Sequence, residues 1–200
     1  NNDTLDLIYS IDTGEKALIK NIKFTGDKAF KDRKLRSVIV SEENKFWKFI
    51  SNKKYLDINR IELDKRLLKN FYLNKGYYNV DIESSSAVFN ENSFELIYNI
   101  NSGKEYLIQN VKLDVPIDYD VKDFKDVKKT IDKLKNEKYS LNRINKVIKE
   151  IDKISVARLY DFIDATIEIN EVGEDKLDLI FSVIESDKFF VNKIDIFGNN

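Results

Sequence analysis

Hydrophobic and polar residues alternate in three separate stretches of the chain, and this period of two predicts half-buried β-strands. Phe94, Leu96, Tyr98 and Ile100 are the apolar positions of the central stretch. The same alternation occurs over residues 5–11 and 177–183. Each stretch is followed by a short turn rich in Gly, Asp, Ser and Lys and then by a second apolar stretch. The pattern thus predicts a pair of strands that occurs three times.

In the second strand of each pair, alternate apolar positions are predicted to face one side of a sheet. Two such sets are complete enough to assign: Leu18, Ile22 and Phe24, and Leu107, Val111 and Leu113.

Between the strand pairs the apolar spacing changes to threes and fours, which predicts amphipathic helices. In the second half of the chain, one helix carries Val121, Phe124, Val127, Ile131 and Leu134. A second helix follows, with Ser140 as its expected N-cap and five apolar positions facing inward: Ile144, Val147, Ile148, Ile151 and Ile154.

The first half has an equivalent pair of helices. A short helix is predicted to carry Leu35, Val38 and Ile39, and a longer one is expected to begin at Asp57 or Asn59 and to stop at Gly76. One further strand follows each pair, near Tyr78–Val88 and Ile163–Ile169.

These elements form an internal repeat. Gly14 aligns with Gly103, an offset of 103 − 14 = 89 residues, and the matching apolar positions recur once more near the end of the chain. We therefore expect the end of one unit at 1–14, whole units at 15–103 and 104–187, and the start of another at 188–200. Each unit reads strand–helix–helix–strand–strand, so the fold class is α+β.

The amino-acid composition excludes several classes of function. The 200 residues contain 34 Lys plus Arg and 35 Asp plus Glu, so the concentrated basic face of a nucleic-acid-binding protein is not expected. The chain has no Cys and no His, which excludes thiol nucleophiles, Ser-His-Asp triads and histidine-containing zinc sites. Without a glycine-rich phosphate loop or a metal triad either, the sequence favours a binding module over an enzyme, and it predicts no cofactor.

Several long phrases resemble POTRA repeats of outer-membrane protein assembly factors. NIKFTGDKAFKDRKLRSVI and KIDIFGNN resemble the family's opening strand, turn and first helix. NKFWKF and NKKYLDINRIELDKRLLKNFYLNKGYYNVDI are similar to the family's third repeat, with an aromatic insertion and a long second helix. GKEYLIQNVKL and EKYSLNRINKVIKEI resemble the fourth repeat. The resemblance departs at Ser155–Phe162, where the family's glycine after the second helix is missing.

The resemblance implies tandem POTRA domains, each with a three-stranded mixed sheet covered on one face by two helices. It implies a periplasmic location in the outer-membrane protein of a Gram-negative bacterium. The implied partners are unfolded outer-membrane β-barrel proteins, accessory assembly lipoproteins, adjacent POTRA repeats and a C-terminal membrane barrel of the same chain. A POTRA-bearing secretion or translocation transporter and a client-free structural scaffold are the alternatives.

The candidate partner-binding site is the strand near Tyr78–Val88. A right-handed crossover makes the first and last strands of a unit parallel and leaves this strand at the edge of the sheet. It has no Pro or Lys to protect its backbone, so it can accept a partner strand by β-augmentation. The alternative is an ordinary exposed edge. The candidate residues are Tyr78, Val80, Ile82, Ser84, Ser85, Ser86 and Val88.

A weaker candidate is the aromatic insertion, with Phe46, Trp47 and Phe49. Clustered aromatic side chains can form a docking surface, but they can equally close the helix–sheet core. The Lys-rich helix after Val121 also carries Asp123, Asp126 and Asp132, so we interpret it as a solvated face rather than as a polyanion site.

Overall fold

A computed structural model describes residues 17–45, 47, 51–90, 93–158 and 163–185. The predicted strands at 1–14 and 188–200 lie outside these residues, as do Phe46 and Phe49. The chain divides into two compact units. One runs up to Lys69 and includes Asp81–Ser102; the other contains Asn70–Val80 and continues from Gly103. The repeat boundaries inferred from the sequence remain a prediction.

The first unit follows the predicted element order. Strand β1 (Leu18–Asp27) and the short helix α1 (Asp32–Arg36) are followed by helix α2 (Ile58–Leu73), which enters the second unit at Asn70. Strands β2 (Asp81–Asn90) and β3 (Ser93–Asn101) complete the sheet. The strand order is β1-β3-β2, with β1 parallel and β2 antiparallel to β3. The predicted central position of the last strand is therefore confirmed.

The second unit repeats this arrangement. Strand β4 (Leu107–Asp114) leads through a 3₁₀ turn (Val121–Phe124) into helix α3 (Lys125–Asp132), and helix α4 (Leu141–Arg158) follows. Strands β5 (Ile163–Val172) and β6 (Lys176–Glu185) form a sheet of order β4-β6-β5 with the same parallel and antiparallel pairs. The α+β fold with two three-stranded mixed sheets is thus as predicted.

Each core lies between the helices and one face of the central strand. In the second unit, Leu177, Leu179, Phe181 and Val183 of β6 are all buried, as the alternation predicts. They pack with the predicted inward positions of the two helices: Phe124, Val127, Ile131, Leu134, Ile144, Val147 and Ile151. Val121, predicted on the same face, is 62% exposed because the turn before α3 directs it outward.

β1 and β4 have a bulge at the same position, so the prediction that Leu18 and Leu107 face the core is wrong. The register shifts between Ile19 and Asn21 in β1 and between Ile108 and Asn110 in β4. An extra residue moves the preceding side chain to the other face of a strand. Ile19 is therefore buried in place of Leu18, and Ile108 in place of Leu107, which is 39% exposed.

Candidate functional site

Among the described residues, the outer edge of β1 is closed by Arg36 at the end of α1 and by the segment that follows it. The N–H of Ile22 donates to Glu43 Oε1 at 3.2 Å, and Arg36 donates to the Ile22 carbonyl at 2.9 Å. Arg36 also hydrogen-bonds to Glu43, and the N–H of Asn44 donates to the Ile19 carbonyl at 2.7 Å. This edge is occupied and cannot take a partner strand without displacing these groups.

The ionised state of Glu43 fits this closing role. Burial alone would raise the pKa of Glu43, but the hydrogen bond from Ile22 and the charges of Arg36 and Lys45 lower it below its ordinary value. The carboxylate therefore stays charged while it accepts both donors.

The opposite edge of the sheet is formed by β2, and its backbone directions follow from those of β1. The backbone N–H and C=O groups of Ile22 face outward, so those of the next residue, Lys23, face β3. Lys23 lies opposite Ile97 and hydrogen-bonds to the residues on either side of Ile97. The backbone groups of Ile97 therefore face β2 and form hydrogen bonds with its partner Ser85. Ser84 and Ser86 therefore direct their N–H and C=O groups away from the sheet, and no described residue hydrogen-bonds to them there.

Side chains alternate between buried and exposed at the start of β2. Ile82 is 7% exposed and faces the core, whereas Asp81 and Glu83 are exposed. Ser85 and Ser86 are exposed, and Val88 pairs with Phe94 on β3. The strand contains neither Pro nor Lys, so its free backbone is not protected against pairing with another chain.

Two residues of the predicted site lie before the strand, because β2 begins at Asp81. Val80 is buried at 3% exposure. Tyr78 packs edge-to-face on two other tyrosine rings of the second unit, with centroid distances of 5.9 Å to Tyr106 and 5.0 Å to Tyr139. These ring contacts give Tyr78 a packing role within the second unit.

The sequence gives no signal for the polar contacts that form beside this tyrosine cluster. Asn79 Nδ2 donates to the Tyr106 hydroxyl at 2.9 Å and to Glu171 Oε1 at 3.0 Å, and the Tyr106 hydroxyl donates to Glu171 Oε2 at 2.9 Å. Burial, together with the Glu171 carboxylate, raises the pKa of Tyr106. Burial raises the pKa of Tyr139 to about 12, with a smaller contribution from Tyr78. Both hydroxyls are therefore neutral at physiological pH.

A buried carboxylate anchors the segment that closes the β1 edge. Asp64 on α2 is fully buried and accepts the N–H of Val40 at 2.6 Å, the N–H of Ser41 at 3.2 Å and the hydroxyl of Tyr98 at 2.7 Å. Burial and the nearby Asp64 carboxylate raise the pKa of Tyr98 far above its ordinary value. Periodicity does not reveal this clamp, because a polar residue within a helix gives no sign of facing inward.

Of the aromatic insertion, the described residue is Trp47. Its side chain is 59% exposed, and the Lys45 ammonium lies 5.6 Å from its ring centroid. Trp47 therefore does not close the core, which leaves a docking role open for this residue.

Two negative findings apply to the described residues. They contain no group of three or more His, Cys, Asp or Glu placed to hold a metal ion. Within them, no helix combines the length and apolar character that crossing a membrane requires.

Part of the chain matches a known protein family, and its fold matches that of a solved structure. Residues 17–103 match the POTRA family model, which is described as "Surface antigen variable number repeat". A crystal structure titled "Haemophilus Influenzae BamA POTRA3-5" superposes with a TM-score of 0.70 at 16% identity, covering 86% of this chain and 68% of that one. Residues 17–103 therefore match the POTRA family, and the chain has the fold of POTRA domains.

The curated relatives extend the match over nearly the whole chain. The outer membrane protein assembly factor BamA of Neorickettsia risticii is 23% identical over 98% of this chain and 26% of its own length. BamA of Neisseria meningitidis is 22% identical over 98% of this chain and 25% of its own length. The chain is thus homologous to BamA proteins, and it spans about a quarter of the length of these relatives.

Proposed function

We propose that this chain is the periplasmic POTRA segment of an outer-membrane β-barrel assembly factor and that it acts by binding rather than by catalysis. The homology to BamA proteins supports the class of protein, and the match to a POTRA3-5 structure supports assigning the two units as third and fourth repeats. Residues 15–103 and 104–187 are then the two whole repeats. The chain would work beneath a membrane barrel of the same polypeptide, in the periplasm of a Gram-negative bacterium.

The observation that carries the binding role is the free edge of β2. Ser84 and Ser86 present backbone donors and acceptors at the spacing of an adjacent strand, while the other edge of the same sheet is closed by Glu43, Arg36 and Asn44. Such an edge binds extended chains through main-chain hydrogen bonds, with little demand on side-chain sequence. That tolerance suits unfolded outer-membrane β-barrel proteins, and accessory assembly lipoproteins could use the same edge through an extended segment.

Proline substitution on β2 tests this proposal, because neighbouring positions have opposite roles. Ser86→Pro removes an outward N–H and leaves the ladder to β3 intact, whereas Ser85→Pro removes a ladder hydrogen bond. Ser86→Ala keeps the N–H and is the matched control. We expect the Ser86→Pro chain to stay folded by circular dichroism and to bind a labelled peptide from an outer-membrane barrel strand at least about fivefold more weakly.

The alanine variant should bind this peptide as the wild type does. Ser85→Pro should instead lower the melting temperature. A folded Ser86→Pro chain with unchanged affinity would exclude augmentation at β2, and exposed Trp47 would become the next candidate for mutation.

A further inference from the structure

The two repeats differ at the outer edge of their first strand. The equivalents of Ile22 and Phe24, at the repeat offset of 89, are Val111 and Leu113 on β4. The backbone N–H and C=O groups of Ile22 face outward. Because β1 and β4 share the same bulge and register, the N–H and C=O groups of Val111 and Leu113 face outward as well. No described residue hydrogen-bonds to these outward groups.

The beginning of the same strand is closed in both repeats. In β4, the N–H of Ile108 donates to the Glu137 carbonyl at 2.8 Å, and the N–H of Asn136 donates to the Ile108 carbonyl at 2.7 Å. The second repeat has a short connection between its helices, so among the described residues no counterpart of the Arg36 and Glu43 closure follows further along β4. The free edge therefore begins at Val111.

A groove lies beside this free edge, between β4 on one side and the 3₁₀ turn and α3 on the other. It has a volume of about 380 Å³, and Phe124 and Ile131, each 1% exposed, contribute to its lining. Val111, Leu113 and Val115 are half-buried along one side, and Val121 is 62% exposed at the other. Apolar surface of this kind next to free backbone groups indicates a binding site.

The charged residues around the groove have a net charge of zero. Lys112 pairs with Asp114 at 2.7 Å, and Lys128 and Asp132 add one charge of each sign. Binding would therefore depend on backbone hydrogen bonds and apolar contact rather than on a charged ligand. An extended chain with apolar residues at alternate positions satisfies both requirements, since one of its faces can fill the groove while its backbone bonds to the free edge of β4.

We propose that the β4 edge and its groove form a second strand-docking site, occupied by an extended amphipathic segment of a partner polypeptide. The site deepens the binding role proposed above and rests on it, but it lies on a different repeat and a different strand. A second copy of this chain is the less suitable occupant, because pairing along Val111–Asp114 alone would bury far less than the roughly 800 Å² per partner of a stable interface. A small contact suits a chain that is held briefly and then released.

The test uses the full ¹⁵N-labelled chain and a defined peptide with alternating apolar residues. The peptide Lys176–Glu185 of this chain provides such a segment, with Leu177, Leu179, Phe181 and Val183 on one face. A peptide of the same composition in scrambled order is its control. We expect the native-order peptide to shift the amide resonances of Val111 and Leu113 and to slow their hydrogen exchange.

Two substitutions test whether the peptide binds in the groove. Val121→Glu puts a charge at the mouth of the groove from an exposed position, and Val121→Ala is its uncharged control. We expect the Glu variant to keep the wild-type melting temperature and to lower the affinity measured at the Val111 amide about fivefold or more. Leu113→Pro removes one outward N–H and should abolish the response at Val111, with circular dichroism reporting whether it folds.

Three results would overturn the inference. Shifts at Ser84 and Ser86 without shifts at Val111 and Leu113 would leave the β2 proposal standing and exclude this site. An unchanged affinity of the Val121→Glu variant would exclude the groove whether or not Leu113→Pro folds. Shifts at Val111 that depend on protein concentration without peptide would assign the edge to a second copy of the chain.

Discussion

The buried Asp64 allows a quantitative test of what holds the first repeat together. At the equivalent core positions, 83 residues further on, the second repeat has Val147 in place of Asp64 and Phe181 in place of Tyr98. The polar pair is thus confined to the repeat in which a long segment between the helices needs an anchor. Removing the pair should destabilise the first repeat alone.

The expected magnitudes follow from the three donors to the carboxylate. Asp64→Ala leaves the N–H groups of Val40 and Ser41 and the hydroxyl of Tyr98 without their acceptor, which should cost about 3–5 kcal/mol. Tyr98→Phe removes one donor and keeps the other two, so about 1–2 kcal/mol is expected. The two changes should not add, because the hydrogen bond between Tyr98 and Asp64 is lost in both, and the coupling should be about 1 kcal/mol.

Urea denaturation followed by tryptophan fluorescence provides a specific assay. Trp47 is the single tryptophan of the chain and lies in the first unit, so its signal reports that repeat, whereas circular dichroism reports both. Val147→Ala is the control, since it should shift the circular-dichroism transition and leave the fluorescence transition in place. An Asp64→Ala cost below about 1 kcal/mol, or strict additivity with Tyr98→Phe, would refute the clamp.

Three further outcomes are expected in the second unit. Asn74→Ala should cost about 0.5–2 kcal/mol, because Asn74 Oδ1 caps α4 by accepting the N–H of Asn142 at 2.7 Å; urea denaturation measures this. Gly76→Ala should cost about 1–3 kcal/mol, because Gly76 has φ of +103° and a Cβ there would lie 2.7 Å from Glu105 Cγ; the melting temperature checks it. Stability should fall as pH rises from about 10 towards 12, because folding raises the pKa of Tyr139 to about 12 and the unfolded chain ionises first; Tyr139→Phe should reduce the slope in pH-dependent urea denaturation.

Each of these expectations has a result that would contradict it. Asn145→Ala changes an exposed position of α4 and should be nearly neutral, so an equal loss in both asparagine variants would argue against capping. An unchanged melting temperature for Gly76→Ala would show that the loop accommodates a side chain. For Tyr139, the same alkaline slope in wild type and phenylalanine variant would place the titration elsewhere.

The features that depend on periodicity are predictable from the sequence. Alternation locates β3 and β6 with their inward faces, and the spacing of Phe124, Val127 and Ile131 locates α3, because burial of one face imposes these periods. The bulge at Lys20 and Gln109 is not predictable in this way, because one extra residue leaves the composition unchanged while it moves a side chain to the other face.

The candidate site is predictable in outline and not in detail. Chain reversal and a right-handed crossover are enough to place β2 at an edge. Alternation through Val80 predicts Tyr78 within the strand, but its ring packs on residues distant in sequence. The N-cap of α4 shows the same limit. Ser140 fits the local rule, yet the Asn142 N–H bonds to Asn74, 68 residues earlier.

The Asp64 clamp also has a consequence for the order of events in folding. The carboxylate can lose its water only when Val40, Ser41 and Tyr98 arrive together, and these donors come from both sides of it in sequence. We therefore expect the clamp to close after the sheet and helices have met. A contact that forms after the transition state controls mainly the rate of unfolding. The clamp would then set how long the first repeat stays folded, while leaving the rate at which it folds almost unchanged.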